Sequence, residues 1–470
     1  MVVPLKPSNV GGGKGPGWKR TLWGNVVGTT DPSNKTDTVL KRIAWLSAND
    51  AEKQFDCLMH LFNEDSLAAC FHALDGKKAV GVDGVTKADY GAELEDNLGQ
   101  LVERMKRMGY RPGPVRRVLI PKDVSPGATR RLGISNVEDK LVQAMMHRVL
   151  EAIYEPLFRA CSYGFRPGRS AHDAVRALHQ HLYRNEVQSV IDVDLAGFFD
   201  SIEHDLLVEM VSEKVADKRL IRYLSRLLKA GVLMDGEFKA SEEGTPQGSM
   251  CSPVLANIFA HGVIDVWFED TVKRHCAGRV ELFRYADDLV ICCQHARDAE
   301  RIHRALGQRL AKYRLALNEA KTRVVRFSRP MNRGSEQRAA FDFLGFTFYW
   351  GRSRKGHAVP KVKTSGKRLR SKLKRVTAWV RMVHSRQRLM AIWRVFRAKV
   401  AGHLRYYGVS FNTRALAVFV HQALRIVYKW LNRRSQRRSF NWVQFGQFVA
   451  AHPLPRPVIY HSLFEHGTVT

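Results

Sequence analysis

The 470-residue chain has 76 Lys and Arg against 45 Asp and Glu, a formal charge of +31, and 45% of its residues are apolar. That apolar content supports two or three cores, and the excess of positive charge points to a polyanionic partner. There is no run of 18 apolar residues and no signal-peptide core, and seven Cys, two of them adjacent, form no Cys-x-x-Cys pair. This argues against a membrane span, a disulfide scaffold and a zinc module, and predicts a cytoplasmic, reduced protein.

Residues 1–37 are rich in Gly, Pro, Asn and Thr and read as a flexible arm. From about Thr38 to Arg107 the pattern is helical, broken by a turn at Gly81-Val82-Asp83-Gly84. Val115–Ile120 and Arg130–Ile134 then predict a basic hairpin, and 136–158 a helix with Leu141, Val142, Met145, Met146, Val149 and Leu150 on its apolar face. Between 187 and 350, strands at 188–194, 279–293, 322–328 and 341–349 alternate with helices within 203–230, 252–270 and 296–314. That order predicts an α+β sheet domain with helices on one face. Gly351–Gly366 reads as a turn, and the pattern beyond it is all helical to about Arg434, with Leu369, Leu373, Val376, Trp379 and Val380 on one stripe. From Phe343 to Phe464 there is no Asp or Glu, while 26 Lys and Arg place almost the whole net charge in this stretch. Such a segregated block reads as a nucleic-acid surface.

Tyr285-Ala286-Asp287-Asp288 lies between two largely apolar runs, Val280–Phe283 and Leu289–Cys293. Adjacent carboxylates in a strand–turn–strand context repel one another unless a cation sits on them. Asp194 ends another short apolar strand, Val190–Leu195, and alternation leaves it at the carboxyl edge. Three carboxylates from two strands suit two Mg²⁺ ions about 3.5–4 Å apart, the arrangement used in phosphoryl transfer. A further loop, Glu243–Ser249, opens the helix at Ser252 and offers glycines for close backbone approach and Gln247 for hydrogen bonding to a nucleotide.

These motifs come together with Ala79–Val85, Leu119-Ile120-Pro121-Lys122, Arg130–Ile134, Tyr163-Gly164-Phe165-Arg166-Pro167-Gly168-Arg169, Asp194–Asp200, Leu317–Thr322 and Phe343–Phe346. With them the chain resembles the reverse transcriptases encoded by bacterial group II introns, the intron maturases. The resemblance implies a right-hand polymerase of the α+β class followed by an all-helical thumb and maturase-like region. It divides the chain into an arm (1–37), fingers (38–186), palm (187–350), thumb and maturase region (351–440) and a tail (441–470). The activity implied is RNA-directed DNA synthesis with two Mg²⁺ ions, Mn²⁺ being the alternative. The partners implied are an RNA template, a DNA or RNA primer, dNTPs, group II intron RNA and target DNA, with no membrane.

Residue by residue, the resemblance makes Asp194, Asp287 and Asp288 the catalytic metal ligands, joined by the Leu195 carbonyl. Lys122, Arg130, Ala196, Gly197, Phe199, Gln247 and Lys321 become nucleotide contacts, Phe199 being the bulky gate against a ribose 2′-hydroxyl. Phe343, Leu344 and Gly345 become the primer grip. From the charge map, independently, Lys367, Arg368, Arg370, Lys372, Lys374 and Arg375 are expected to contact RNA. The sequence departs from the family in two ways. Ala128–Ser135 lacks the usual Lys and both Pro of the fingers strand but keeps Arg130, and no DNA-endonuclease motif of paired Cys-x-x-Cys with His-Asn-His is seen. Two other roles fit the same motifs: a splicing-only maturase, and a related enzyme recruited to phage defence or a CRISPR system.

Overall fold

In this computed structural model the described residues are 33–121, 129–234, 237–239, 244, 248–330, 339–434 and 439–464. Eleven strands occur among them: β1 (Val115–Pro121), β2 (Thr129–Ile134), β3 (Ser189–Asp194), β4 (Val232–Met234), β5 (Glu237–Lys239), β6 (Val280–Tyr285), β7 (Asp288–Cys293), β8 (Arg323–Arg326), β9 (Ala340–Phe343), β10 (Phe346–Arg352) and β11 (Ala358–Thr364). They form three sheets, ordered β2-β1-β4-β5, β6-β7-β3-β8 and β11-β10-β9. The rest is mainly helical.

The sheet β6-β7-β3-β8 is the structural centre. Its strands are rich in Val, Ile and Cys, which suit a pleated surface packed on both sides. Ile191, Val193, Leu289 and Ile291 face one core, which they share with helix Val137–Tyr154, helix Ser252–Ala260 and helix Ala296–Lys312. Val190, Val290 and Cys292 face a second core, built with helix Ala171–Arg184, β9–β11 and the C-terminal helices. Helices on one face were expected; both faces are covered. The Asp residues alternating along β3 made a doubly buried strand look half-exposed.

The turn expected at 351–366 is instead part of a hairpin, since β10 runs on to Arg352 and pairs antiparallel with β11, Trp350 opposite Pro360. Phe346, Phe348 and Trp350 alternate inward along β10, and that period-two pattern prevails over the local Gly content. Pro360 is tolerated because β11 is an edge strand. The boundary expected at 350 therefore cuts through a sheet, and the region 351–440 opens with a strand before its helices, Gly366–Val383, Leu389–Tyr407 and Thr413–Leu431. At the other boundaries, helix Ser33–Asn49 already covers the end of the expected arm, whose residues 1–32 lie outside the described ones. Nor are residues 441–464 of the expected tail bare. Helix Trp442–Ala451 packs by Phe445 into the second core, and His461 bridges to Val409.

The helix expected at 252–270 begins regularly at Ser252 but widens into π turns at His261–Asp265 and Phe268–Val272. Among the described residues no helix is long and apolar enough to cross a membrane.

Candidate active site on the β3–β7 edge

The antiparallel register of β3 and β7 sets Asp194 directly opposite Asp288. On the other side of β7, Tyr285 pairs with Asp288 and closes a two-residue turn of Ala286 and Asp287. Ala286 takes φ 58°, a left-handed conformation that two-residue hairpin turns require but that usually falls to Gly, Asn or Asp. Three carboxylates thus leave one sheet edge from neighbouring backbone positions.

Among the described residues no three His, Cys, Asp or Glu side chains converge closely enough to hold an ion as they stand. Asp194 accepts from Lys321 Nζ at 3.0 Å instead. Its backbone is fixed by Thr322, whose hydroxyl accepts from the Asp194 amide (3.2 Å), and by Asn318, whose amide donates to the Asp194 carbonyl (2.8 Å). The Asp288 carboxyl is pushed up to about 7, first by burial in the crowded edge and then by repulsion from Asp287, with Arg368 pulling the other way. Asp288 is nevertheless exposed, so water screens part of the burial effect; the repulsion is what a cation would relieve. A hard oxygen donor set with unbalanced negative charge fits a divalent cation.

The nucleotide candidates divide into two groups. Ala196, Gly197 and Phe199 follow β3 directly. The Ala196 amide donates to the Ala316 carbonyl (2.9 Å), Leu195 bridges Leu317, and Gly197 has φ 57°. Phe199 is half-buried at the rim of the first core, and its ring meets Phe165 edge-to-face at 6.3 Å. Phe165 also lies 6.4 Å from the Tyr285 ring, so one aromatic links the gate candidate to the Asp turn. Arg130 stands exposed on β2 opposite Ile120. Lys122 and Gln247 lie outside the described residues, which include the neighbouring Gly244 and Gly248. Gly248 packs on the Gly133 carbonyl of β2, and the Gly244 amide donates to Ile202 (2.8 Å).

Phe343, Leu344 and Gly345 form the tight connection between β9 and β10, with Leu344 at φ 51° and Gly345 at φ 82°. A Cβ on Gly345 would come within 2.9 Å of the Tyr407 hydroxyl, so only glycine fits. Of the six basic residues singled out on helix Gly366–Val383, Lys367, Arg370 and Lys374 are exposed. Arg368, Lys372 and Arg375 are half-buried, and burial lowers the pKa of Lys372 and Arg375. Sequence reasoning gave no individual role to Thr322, Phe165, Tyr406 or Arg284. Arg284 had left a signal, a charge inside an apolar strand immediately before the Asp turn.

Residues 120–348 match the family described as reverse transcriptase (RNA-dependent DNA polymerase). Protein YkfC of Escherichia coli K12 is 36% identical over 225 residues, 46% of this chain and 58% of the relative. The group II intron-encoded protein LtrA of Lactococcus lactis subsp. cremoris is 32% identical over 227 residues, 48% of this chain and 37% of its own. An uncharacterized 91 kDa protein in a cob intron of Schizosaccharomyces pombe is 35% identical over 257 residues, 53% and 31% respectively. The matched stretch thus spans between about a third and three fifths of these relatives. Over residues 120–348 the chain is thus similar to the reverse transcriptase family, and one of its relatives is a protein encoded by a group II intron.

Proposed function

We propose that the chain is an RNA-directed DNA polymerase encoded by a group II intron, which copies RNA into cDNA and binds intron RNA to assist splicing and mobility. The observation that carries this reading is the register of Asp194 against Asp288, with Asp287 in the adjoining turn. Asp194, Asp287 and Asp288, with the Leu195 carbonyl, would hold divalent cations, Mg²⁺ or in its place Mn²⁺. When bound, such ions stabilise charge on the attacking and leaving oxygens of nucleotidyl transfer.

The chain's own groups would do the rest. Lys321 places a cation beside Asp194, where charge builds on departing pyrophosphate. Phe199, backed by Phe165, would fill the space that a ribose 2′-hydroxyl needs. Lys122, Arg130 and Gln247 would hold the triphosphate and base, Arg130 as a planar fork and Lys122 as a point charge. The Phe343–Gly345 turn would seat the primer end, and the exposed Lys367, Arg370 and Lys374 would meet RNA phosphates. We assign fingers to about 38–186, palm to 187–365 so that the β9–β11 sheet stays whole, and thumb with maturase-like region from Gly366 onward.

The test is extension of a DNA primer on an RNA template, with binding of a group II intron RNA measured in parallel. Extension with dNTPs but not rNTPs supports the reading. Tight intron binding without extension would reduce the chain to a splicing cofactor.

A further inference from the structure

Behind the Tyr285–Asp288 turn lies the guanidinium of Arg284, which has no exposed surface. A guanidinium carries five N–H donors, and here five hydrogen bonds are made. Nε and Nη2 fork onto Asp265 at 2.7 and 2.6 Å. Nη1 donates to Asn257 Oδ1 (3.0 Å) and to the Ala286 carbonyl (3.3 Å), and Nη2 donates to the Ser162 hydroxyl (2.7 Å). Asp265 is as fully enclosed as Arg284 and comes from the first π turn, a distortion that recurs at functional sites.

The network runs on into the segment Tyr163–Arg169. The Asn257 amide donates to the Gly164 carbonyl (2.7 Å), and Gly164 lies so close to Ala286 that a Cβ would overlap the Ala286 amide nitrogen. The Arg284 amide donates to Cys161, and the Tyr163 amide to Arg284, both at 2.8 Å. Arg166 forks onto Glu155, and Arg166 and Arg169 each donate to the Ser162 carbonyl at 3.0 Å. Phe165 and Ala286 both hold left-handed conformations without being glycine, φ 56° and 58°. Such conformations persist only where their surroundings over-determine them.

A buried ion pair seldom improves stability over an apolar pair of the same shape, so its place beneath this turn calls for another reason. We propose that the Arg284–Asp265 pair, with Asn257, Ser162 and the Gly164 segment, is a positioning device that locks Ala286 and thereby sets where Asp287 and Asp288 project. The proposal rests on the reading of those carboxylates as metal ligands. Arg284 touches the Ala286 carbonyl and not the substrate, so it acts through the turn, as outer-shell partners act on metal ligands.

The experiment compares full-length wild type with Asn257→Ala, Ser162→Ala, Asp265→Asn and Arg284→Lys. The readouts are melting temperature, hydrogen exchange of the peptide spanning 283–291, and Mn²⁺ binding by electron paramagnetic resonance. Primer extension adds kcat, dNTP KM and the Mg²⁺ concentration for half-maximal rate. Folded variants are expected to exchange faster at Ala286–Asp288 and to bind Mn²⁺ about 10- to 100-fold more weakly, with kcat falling and dNTP KM within about threefold. Wild-type exchange and Mn²⁺ affinity in folded variants, with activity following melting temperature alone, would overturn the proposal. Should Arg284→Lys or Asp265→Asn fail to fold, Asn257→Ala and Ser162→Ala decide, since each leaves the ion pair intact. Asp287→Ala separates the two claims. If it leaves Mn²⁺ binding and extension intact, the metal-ligand reading falls, and the exchange data still decide whether the network holds the turn.

Discussion

The Tyr406 hydroxyl donates to the carbonyl of Leu344 at 3.0 Å, tying helix Leu389–Tyr407 to the left-handed turn between β9 and β10. The Tyr406 ring also stacks on Phe346 at 5.7 Å. If this turn seats the primer end, Tyr406→Phe keeps the stack and removes only the tether, a loss of about 1 kcal/mol. The expected result is a several-fold rise in template–primer KM with little change in melting temperature or dNTP KM. Steady-state primer extension at varied template–primer checks it.

Phe199 is half-buried and meets Phe165 edge-to-face, so the ring that would exclude a 2′-hydroxyl is itself supported. Phe199→Val is expected to reduce discrimination between dNTP and rNTP at least about tenfold, because the barrier is steric and a smaller side chain removes it. Phe165→Ala should give a smaller change in the same direction. Single-nucleotide incorporation with both substrates decides, and an unchanged ratio would make Phe199 an ordinary core residue.

The basic helix Gly366–Val383 presents Lys367, Arg370 and Lys374 to solvent and half-buries Arg368, Lys372 and Arg375. Changing the exposed three to Gln is expected to lower the slope of log K against log salt for RNA binding by up to about three units, roughly one per phosphate contact. Melting temperature should stay unchanged. Lys372→Gln and Arg375→Gln should disturb packing as well as charge. RNA affinity across a salt series, with melting curves alongside, separates the two groups.

The juxtaposition of the candidate carboxylates was legible because Asp194 and the Asp287-Asp288 pair interrupt apolar strands, and the sheet register brings their backbones together. The architecture of the central sheet was only half legible. Asp192 and Asp194 imposed an alternating pattern on β3, although the strand is covered on both faces. β11 was missed because Gly356 and Pro360 mimic a turn, and only pairing with the Phe346-Phe348-Trp350 strand reveals it. The tie between Arg284 and Asn257 spans 27 positions and was invisible, since no local periodicity encodes such a contact.

His403 is buried against Phe419, ring on ring at 3.6 Å, and neither of its nitrogens finds a hydrogen-bond partner among the described residues. Burial, aided by Lys372, lowers its pKa from 6.5 to about 3. His181 is lowered to about 4, by burial and then by Arg279 and Lys273. The unfolded chain takes up these protons near pH 6.5 and the folded chain does not, so their contribution is complete above 6.5 and is lost as pH falls toward 4. His403→Phe is expected to flatten that loss and raise the melting temperature at pH 5 more than at pH 8. Melting curves from pH 4 to 8 check it.

The most direct test of the central claim is extension of a DNA primer on an RNA template by Asp194→Asn and Asp287→Asn, beside wild type, with RNA binding measured on the same preparations. Both substitutions keep the side-chain shape and remove a negative charge from the β3–β7 edge. The account predicts that each lowers the extension rate by at least about a thousandfold, since several kcal/mol of transition-state stabilisation depend on the ions those charges hold. RNA affinity and melting temperature should be unchanged. Extension by either variant within about tenfold of wild type would contradict it.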